Sequence, residues 1–224
     1  MGCPFHEYAF PAAFGTTFVL GFILLRLVGK NRLKCGDYIF GAYNLMCFVA
    51  HSALDTYFLY TPRLLKKQPN EVDPNPDDHL GCFKAMVTKM WREYGDADTR
   101  VYQDDFQPHL LTMTMTCGVA VSSLCLLAFL GHLFGGRWAH GMQIAAGMLQ
   151  FAMIFSFTFP EYLVNFKNVK DKNMFLGANV PFMVIPLLAV ASGLCRLCCP
   201  GGVCPFSPCG TTSAPSHADK KKKQ

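Results

Sequence analysis

Charge is scarce in this sequence: Asp, Glu, Lys and Arg make up 16% of its 224 residues, against 51% hydrophobic residues and 13% aromatics. Soluble domains carry about 25% charge, so this composition is poorly suited to an ordinary water-exposed surface. There is no Gly-rich nucleotide-binding loop and no His-rich metal motif. Neither internal repeats nor a pair of broken helices of the transporter kind is present. No cofactor, metal or nucleic-acid partner is therefore expected. The net charge of +5 excludes little, because much of it comes from the lysines at 220–223.

What remains is apolar and clustered. A bilayer core needs about 20 mostly apolar residues per helical crossing, and five stretches qualify: 8–28, 38–60, 109–134, 139–159 and 174–197. Their periods are helical rather than alternating, which argues against a membrane barrel. Pro181 and Pro186 are tolerated in the last stretch where neighbouring helices satisfy the freed carbonyls. The first stretch lacks a basic leader and runs into Arg26, Lys30, Arg32 and Lys34, so it is expected to stay as a membrane helix rather than be cleaved. The fold class predicted is an all-α membrane protein, a five-transmembrane-helix bundle with one interfacial amphipathic helix.

That amphipathic helix lies in the long connection after the second stretch. Leu80, Phe83, Val87, Met90, Trp91 and Tyr94 recur at three- and four-residue spacing. Asp77 or Asp78 is placed to cap it, and Gly95 to end it. Three parts follow: 1–35, the first helix and a basic loop; 36–197, a four-helix domain; and 198–224, a tail rich in Cys, Pro and Lys. Lys30, Arg32, Lys34, Arg137 and the terminal lysines all fall on one side, which the positive-inside rule makes cytosolic, with the N-terminus lumenal. Lys221 and Lys222 fit a dilysine retrieval address of the endoplasmic reticulum; a polybasic surface for anionic lipid is the competing reading. Of eleven cysteines, Cys47, Cys117 and Cys125 sit singly within apolar helices, while Cys195, Cys198, Cys199, Cys204 and Cys209 cluster at the last helix end. Palmitoylation suits such juxtamembrane thiols better than zinc does.

Chemistry in a membrane begins with ionisable side chains at bilayer depth, because each costs a few kcal/mol. His51 and Asp55 are four residues apart and share a helix face, which Asn44 and Phe58 extend by seven residues either way. An imidazole beside a carboxylate can hold or pass a proton near neutral pH; interhelical hydrogen bonding is the plainer use. Gln143 and Gln150 share a face of the fourth helix, Glu161 follows Pro160 at its end, and Asn179 lies in the fifth. Thr112, Thr114 and Thr116 open the third, where hydroxyls usually bond the preceding turn.

Met90-Trp91-Arg92-Glu93-Tyr94-Gly95, followed by Asp98-Thr99-Arg100, resembles the Trp-Lys-Glu-Tyr and Asp-x-Arg segment of the emopamil-binding protein family, whose shared region is the EXPERA domain. That family includes sterol isomerases and the sigma-2 receptor. His51-Ser-Ala-Leu-Asp55 is similar to its His-x-x-x-Glu, and Asn179, seven residues before Pro186, to the isomerases' last-helix asparagine. The resemblance implies a sterol isomerase that moves a double bond from the delta-8 to the delta-7 position without a cofactor. Its catalytic residues would be His51, Asp55 and Asn179. Asn44, Phe58, Trp91, Tyr94, Thr112, Thr116, Gln143, Gln150, Glu161 and Phe182 would surround the substrate, Phe182 offering an aromatic face to a cation. The implied partners are a sterol or another hydrophobic small molecule and the bilayer, with a homodimer as the one protein assembly considered. Thr112 stands where the isomerases carry a glutamate. A second reading therefore stays open: a binding or trafficking protein of the sigma-2 receptor type, with Asp55 as counter-ion to a ligand amine.

Overall fold

A computed structural model describes residues 9–29, 33–56, 79–102 and 108–198. All regular structure among them is helical, apart from one isolated bridge between Asp98 and Val169. The elements are α1 (Ala9–Gly29), α2 (Cys35–Ala50) running into a π-helical turn (His51–Asp55), and α3 (His79–Ala97) with a 3-10 turn (Thr99–Tyr102). Then come α4 (Pro108–Met115), a second π-helical segment (Thr116–Val121), α5 (Ser122–Phe134), α6 (Trp138–Leu163) and α7 (Lys172–Cys198).

Among the described residues, four helices are long and apolar enough to cross a membrane: Ala12–Gly29, Leu111–Phe134, Trp138–Leu163 and Lys172–Cys198. The helix that starts at Cys35 and is described as far as Thr56 is the stretch expected to be the second crossing. It is not one of those four, and it carries Asp37, Asn44, His51 and Asp55.

Local chemistry explains the helix ends. The Asp37 carboxylate reaches back to accept the Lys34 backbone N–H at 2.9 Å, and Asp171 accepts from Met174 N at 3.0 Å, each satisfying a helix-start amide. Gly135 closes α5 at φ 77°, a left-handed position suited to glycine. Gly95 does not end α3: the ladder continues until Asp98 N donates to Tyr94 O at 2.8 Å. Pro160, Pro181 and Pro186 all lie inside continuous helices. The two caps expected at Asp77 and Asp78, the side chains of Leu80 and Phe83, and the tail cysteines beyond Cys198 lie outside the described residues. Cys195 corrects one expectation. It is disulfide-bonded, as is Cys35, so its sulfur is not available for a thioester in this state; Cys198 is free and exposed.

Small residues set the helix spacing. A Cβ on Gly21 would stand 3.2 Å from Ala42 Cα, and one on Gly147 would meet Pro186 O and Val190 Cγ2, each at 2.8 Å. Membrane helices associate through such close packing, because lipid offers no hydrophobic drive between them.

A charged cluster ties α3 to the bundle. Asp98 is fully buried and takes three bonds from the Arg100 guanidinium, at 2.7, 2.9 and 3.2 Å. Arg100 Nη1 donates to Phe157 O at 3.0 Å and lies 3.3 Å from Glu161. Its guanidinium sits 4.0 Å from the Phe157 ring centroid and 5.7 Å from that of Phe175. The charge is thus compensated by Asp98, between α3 and the 3-10 turn, and by groups on α6 and α7.

Two substitutions test this packing in detergent-solubilised protein. Gly147→Val drives a branched side chain into the α6–α7 seam and should cost about 1–3 kcal/mol of stability, read as a lowered melting temperature. Arg100→Leu leaves Asp98 and Glu161 buried without their cation and should cost about 3–5 kcal/mol. A wild-type melting curve for Arg100→Leu would show that the cluster is not what holds α3 down.

Candidate functional site

A cavity of about 290 Å³ opens between the π-helical turn after α2 and helices α3, α4, α6 and α7. His51, Asp55, Trp91, Tyr94, Asn179 and Phe182 line it, so six of the residues singled out from sequence meet in one place. The rest of the wall is apolar or soft: Phe14 from α1, Leu54, Met90, Met113, Cys117, Ile154, Phe157 and Met174 among others.

The polar floor is a single hydrogen-bonded chain. His51 Nδ1 lies 2.6 Å from Asp55 Oδ2, and its Nε2 lies 3.1 Å from Gln150 Nε2. An amide NH₂ can only donate, so the ring accepts at Nε2 and carries its proton at Nδ1, directed at the carboxylate. This tautomer is assigned from the network. Gln150 is itself oriented, for Tyr43 O–H donates to its Oε1 at 3.2 Å. Tyr43, His51 and Gln150 are all buried, so the chain runs through the bundle away from water.

The backbone around the pair is unusual. His51–Asp55 and Thr116–Val121 are both π-helical and pack against each other. Widened turns of this kind are frequent at functional sites. Gly118 makes the approach possible: a Cβ there would lie 3.0 Å from Thr56 Oγ1 and 3.4 Å from Asp55 Cβ. Above the pair, Trp91 Nε1 donates to Leu54 O at 3.3 Å, fixing the indole over the turn.

Asn179 Nδ2 donates to Tyr94 Oη at 2.8 Å and to Phe175 O at 2.7 Å. Tyr94 accepts that bond and keeps its own proton to donate. Burial pushes its phenol up, so it stays neutral across the physiological range. Its ring stacks on Phe175 at 6.5 Å and meets Trp91 edge-on at 6.0 Å. The Phe182 ring stands 6.3 Å from the His51 imidazole, tilted by 60°.

The remaining sequence candidates lie elsewhere. Gln150 is behind His51 rather than in the cavity wall. Gln143 bonds His132 and the Ala189 carbonyl, and Glu161 bonds Asn168 and the Arg100 side. Asn44 is buried 2% exposed with its Nδ2 unpaired. Thr112 is exposed and Thr116 half-buried, and neither lines the cavity; Met113 and Cys117 do. Phe58 lies outside the described residues. Sequence reasoning missed Met113, Cys117 and the role of Tyr43. The one available signal for Cys117 was its position within an apolar helix, which it shares with Cys125.

No curated protein matches this chain. One family model does: EBP, described as EXPERA (EXPanded EBP superfamily), matches residues 86–192. The match takes in Trp91, Tyr94, Asn179 and Phe182, together with the whole Asp98–Arg100–Glu161 cluster. Residues 86–192, from within α3 into α7, thus match the EXPERA family, and this segment supplies much of the cavity wall.

Proposed function

We propose that the protein is a sterol delta-8 to delta-7 isomerase of the endoplasmic-reticulum membrane, working in the cavity floored by His51 and Asp55. The carrying observation is the 2.6 Å imidazole–carboxylate contact at the base of an otherwise apolar, aromatic-lined cavity. A double-bond shift needs one proton delivered to an alkene carbon and one removed from a carbon nearby. The protonated His51–Asp55 pair gives its proton to the alkene, leaving a carbocation in the sterol. The deprotonated pair then takes a proton from the adjacent carbon, the C–H electrons form the new double bond, and the pair returns to its starting state. No redox partner enters the balance.

Between those steps the cation needs a dry, electron-rich surround. The Asp55 carboxylate and the faces of Trp91, Tyr94 and Phe182 supply one. Gln150 acts as a positioning residue, holding the imidazole so that its Nδ1 proton faces Asp55. In this reading the helix from Cys35 onward is the second of five crossings, α3 lies at the interface, the N-terminus is lumenal and the tail cytosolic.

A second reading has its own support. The face of the α4–α5 span that meets the cavity carries Met113 and Cys117 and no carboxylate, so the pair on α2 is the one acid–base station among the described cavity residues. Such a cavity suits a binding protein for sterols or cationic amphiphiles, with Asp55 as the counter-ion.

Purified protein given a delta-8 sterol in heavy water decides between the two. Isomerisation predicts a delta-7 product carrying deuterium, with turnover falling about 10²–10⁴-fold in Asp55→Ala. Gln150→Leu should lower turnover with little change in sterol affinity. Saturable sterol binding with neither product nor deuterium uptake would reject the enzyme and leave the binding protein; binding of a cationic amphiphile should then weaken in Asp55→Ala.

A further inference from the structure

A second polar cluster lies about 20 Å along the α2 helix from His51, fourteen residues away at 1.5 Å per residue. Asp37 at the start of α2, His132 in the last turn of α5 and His140 in the first turn of α6 offer one ligand atom each, all within 4.8 Å of one another. The two rings sit 5.1 Å apart at 70°. Asp37 and His132 are buried and His140 is half-buried.

Three details point to a ligand. His140 Nδ1 is buried and has no hydrogen-bond partner, and an unsatisfied buried nitrogen in a native fold calls for a bound water or ion. His132 is already set up as a metal histidine would be. Its Nε2–H donates to Gln143 Oε1 at 2.9 Å, and Gln143 is locked by its own bond to Ala189 O at 2.6 Å. That fixes the tautomer and leaves the Nδ1 lone pair free, the second-sphere arrangement typical of metal-bound imidazoles. Asp37, finally, uses one lone pair of each oxygen, on Arg196 Nε at 3.1 Å and Lys34 N at 2.9 Å, and keeps one on each for a cation.

We propose that Asp37, His132 and His140 form a binding site for a divalent transition-metal ion of the zinc class. Two imidazoles with one carboxylate suit zinc and its neighbours and not calcium or magnesium. Tetrahedral bonds of about 2.0–2.2 Å need ligand separations of roughly 3.4 Å, so the side chains close inward by about an ångström on binding. Three protein ligands leave a fourth position for water. The ion would join α2, α5 and α6 at the end of the bundle where α2 begins and the exposed turn 135–137 links α5 to α6. Arg196 opposes it: its charge already neutralises Asp37, so the site is weaker than its ligand set alone would make it.

The test is cobalt titration of chelator-treated, full-length protein in detergent, followed by displacement with zinc. One equivalent of cobalt should bind with weak visible bands and without the near-ultraviolet charge-transfer absorption that thiolates produce, which separates this site from the tail cysteines. Binding should be lost in His140→Gln and in Asp37→Asn, the latter keeping an oxygen for Arg196 and Lys34. It should weaken about 10–100-fold in Gln143→Leu and tighten in Arg196→Gln. Zinc should raise the melting temperature of the wild type and leave that of His140→Gln unchanged, with the two metal-free proteins melting alike. Equal cobalt binding by wild type and both ligand variants, a thiolate-dominated spectrum, or no binding would overturn the proposal.

Discussion

The Arg100 guanidinium is a full positive charge buried in a bundle that has almost no charge to spare, and the arrangement of the site follows from how it is compensated. Asp98 neutralises it from two residues away, Glu161 faces it from the end of α6, and the Phe157 carbonyl and ring receive what is left. None of these groups can be withdrawn alone without stranding the others in a low dielectric. The cluster therefore fixes the 3-10 turn against α6, and with it the helix α3 that carries Trp91 and Tyr94. The bonds that hold α3 to α6 are thus specific and charged.

The same economy governs the cavity floor. His51 has both ring nitrogens engaged, Nδ1 on Asp55 and Nε2 on Gln150, so the carboxylate is the end of the chain that reaches the cavity. The facing π-helical segments bring Asp55 up to Gly118. Local helical regularity is given up beside the cavity, while the remaining turns of α5, α6 and α7 keep the ordinary ladder that a bilayer demands.

Much of this was legible in sequence because lipid imposes a simple rule. Apolar length gave each of the four spans to within a few residues, and the spacing of His51 and Asp55 was enough to place them on one face. The face of the third span was not legible. Counting forward from the Trp-Arg-Glu-Tyr segment to Thr112 crosses an irregular connection, where no period carries the register, and the cavity receives Met113 and Cys117 instead. Gln143 and Gln150 were expected around the substrate from the resemblance, yet these two glutamines, seven residues apart along α6, serve His132 and His51 respectively. Contacts such as Asp37 with His132 join residues nearly a hundred positions apart, and no local pattern encodes them.

Phe14 lines the cavity from α1, a helix whose Val19, Leu20, Ile23 and Leu27 face outward. Only 17% of its apolar window is buried, less than in any of the other three spans. Its grip on the bundle rests on close contacts such as Gly21 with Ala42, and its outward face is left to lipid. The cavity thus has one wall far softer than the rest. A molecule dissolved in the membrane therefore faces, on that side of the cavity, a single helix whose outer face is left to lipid.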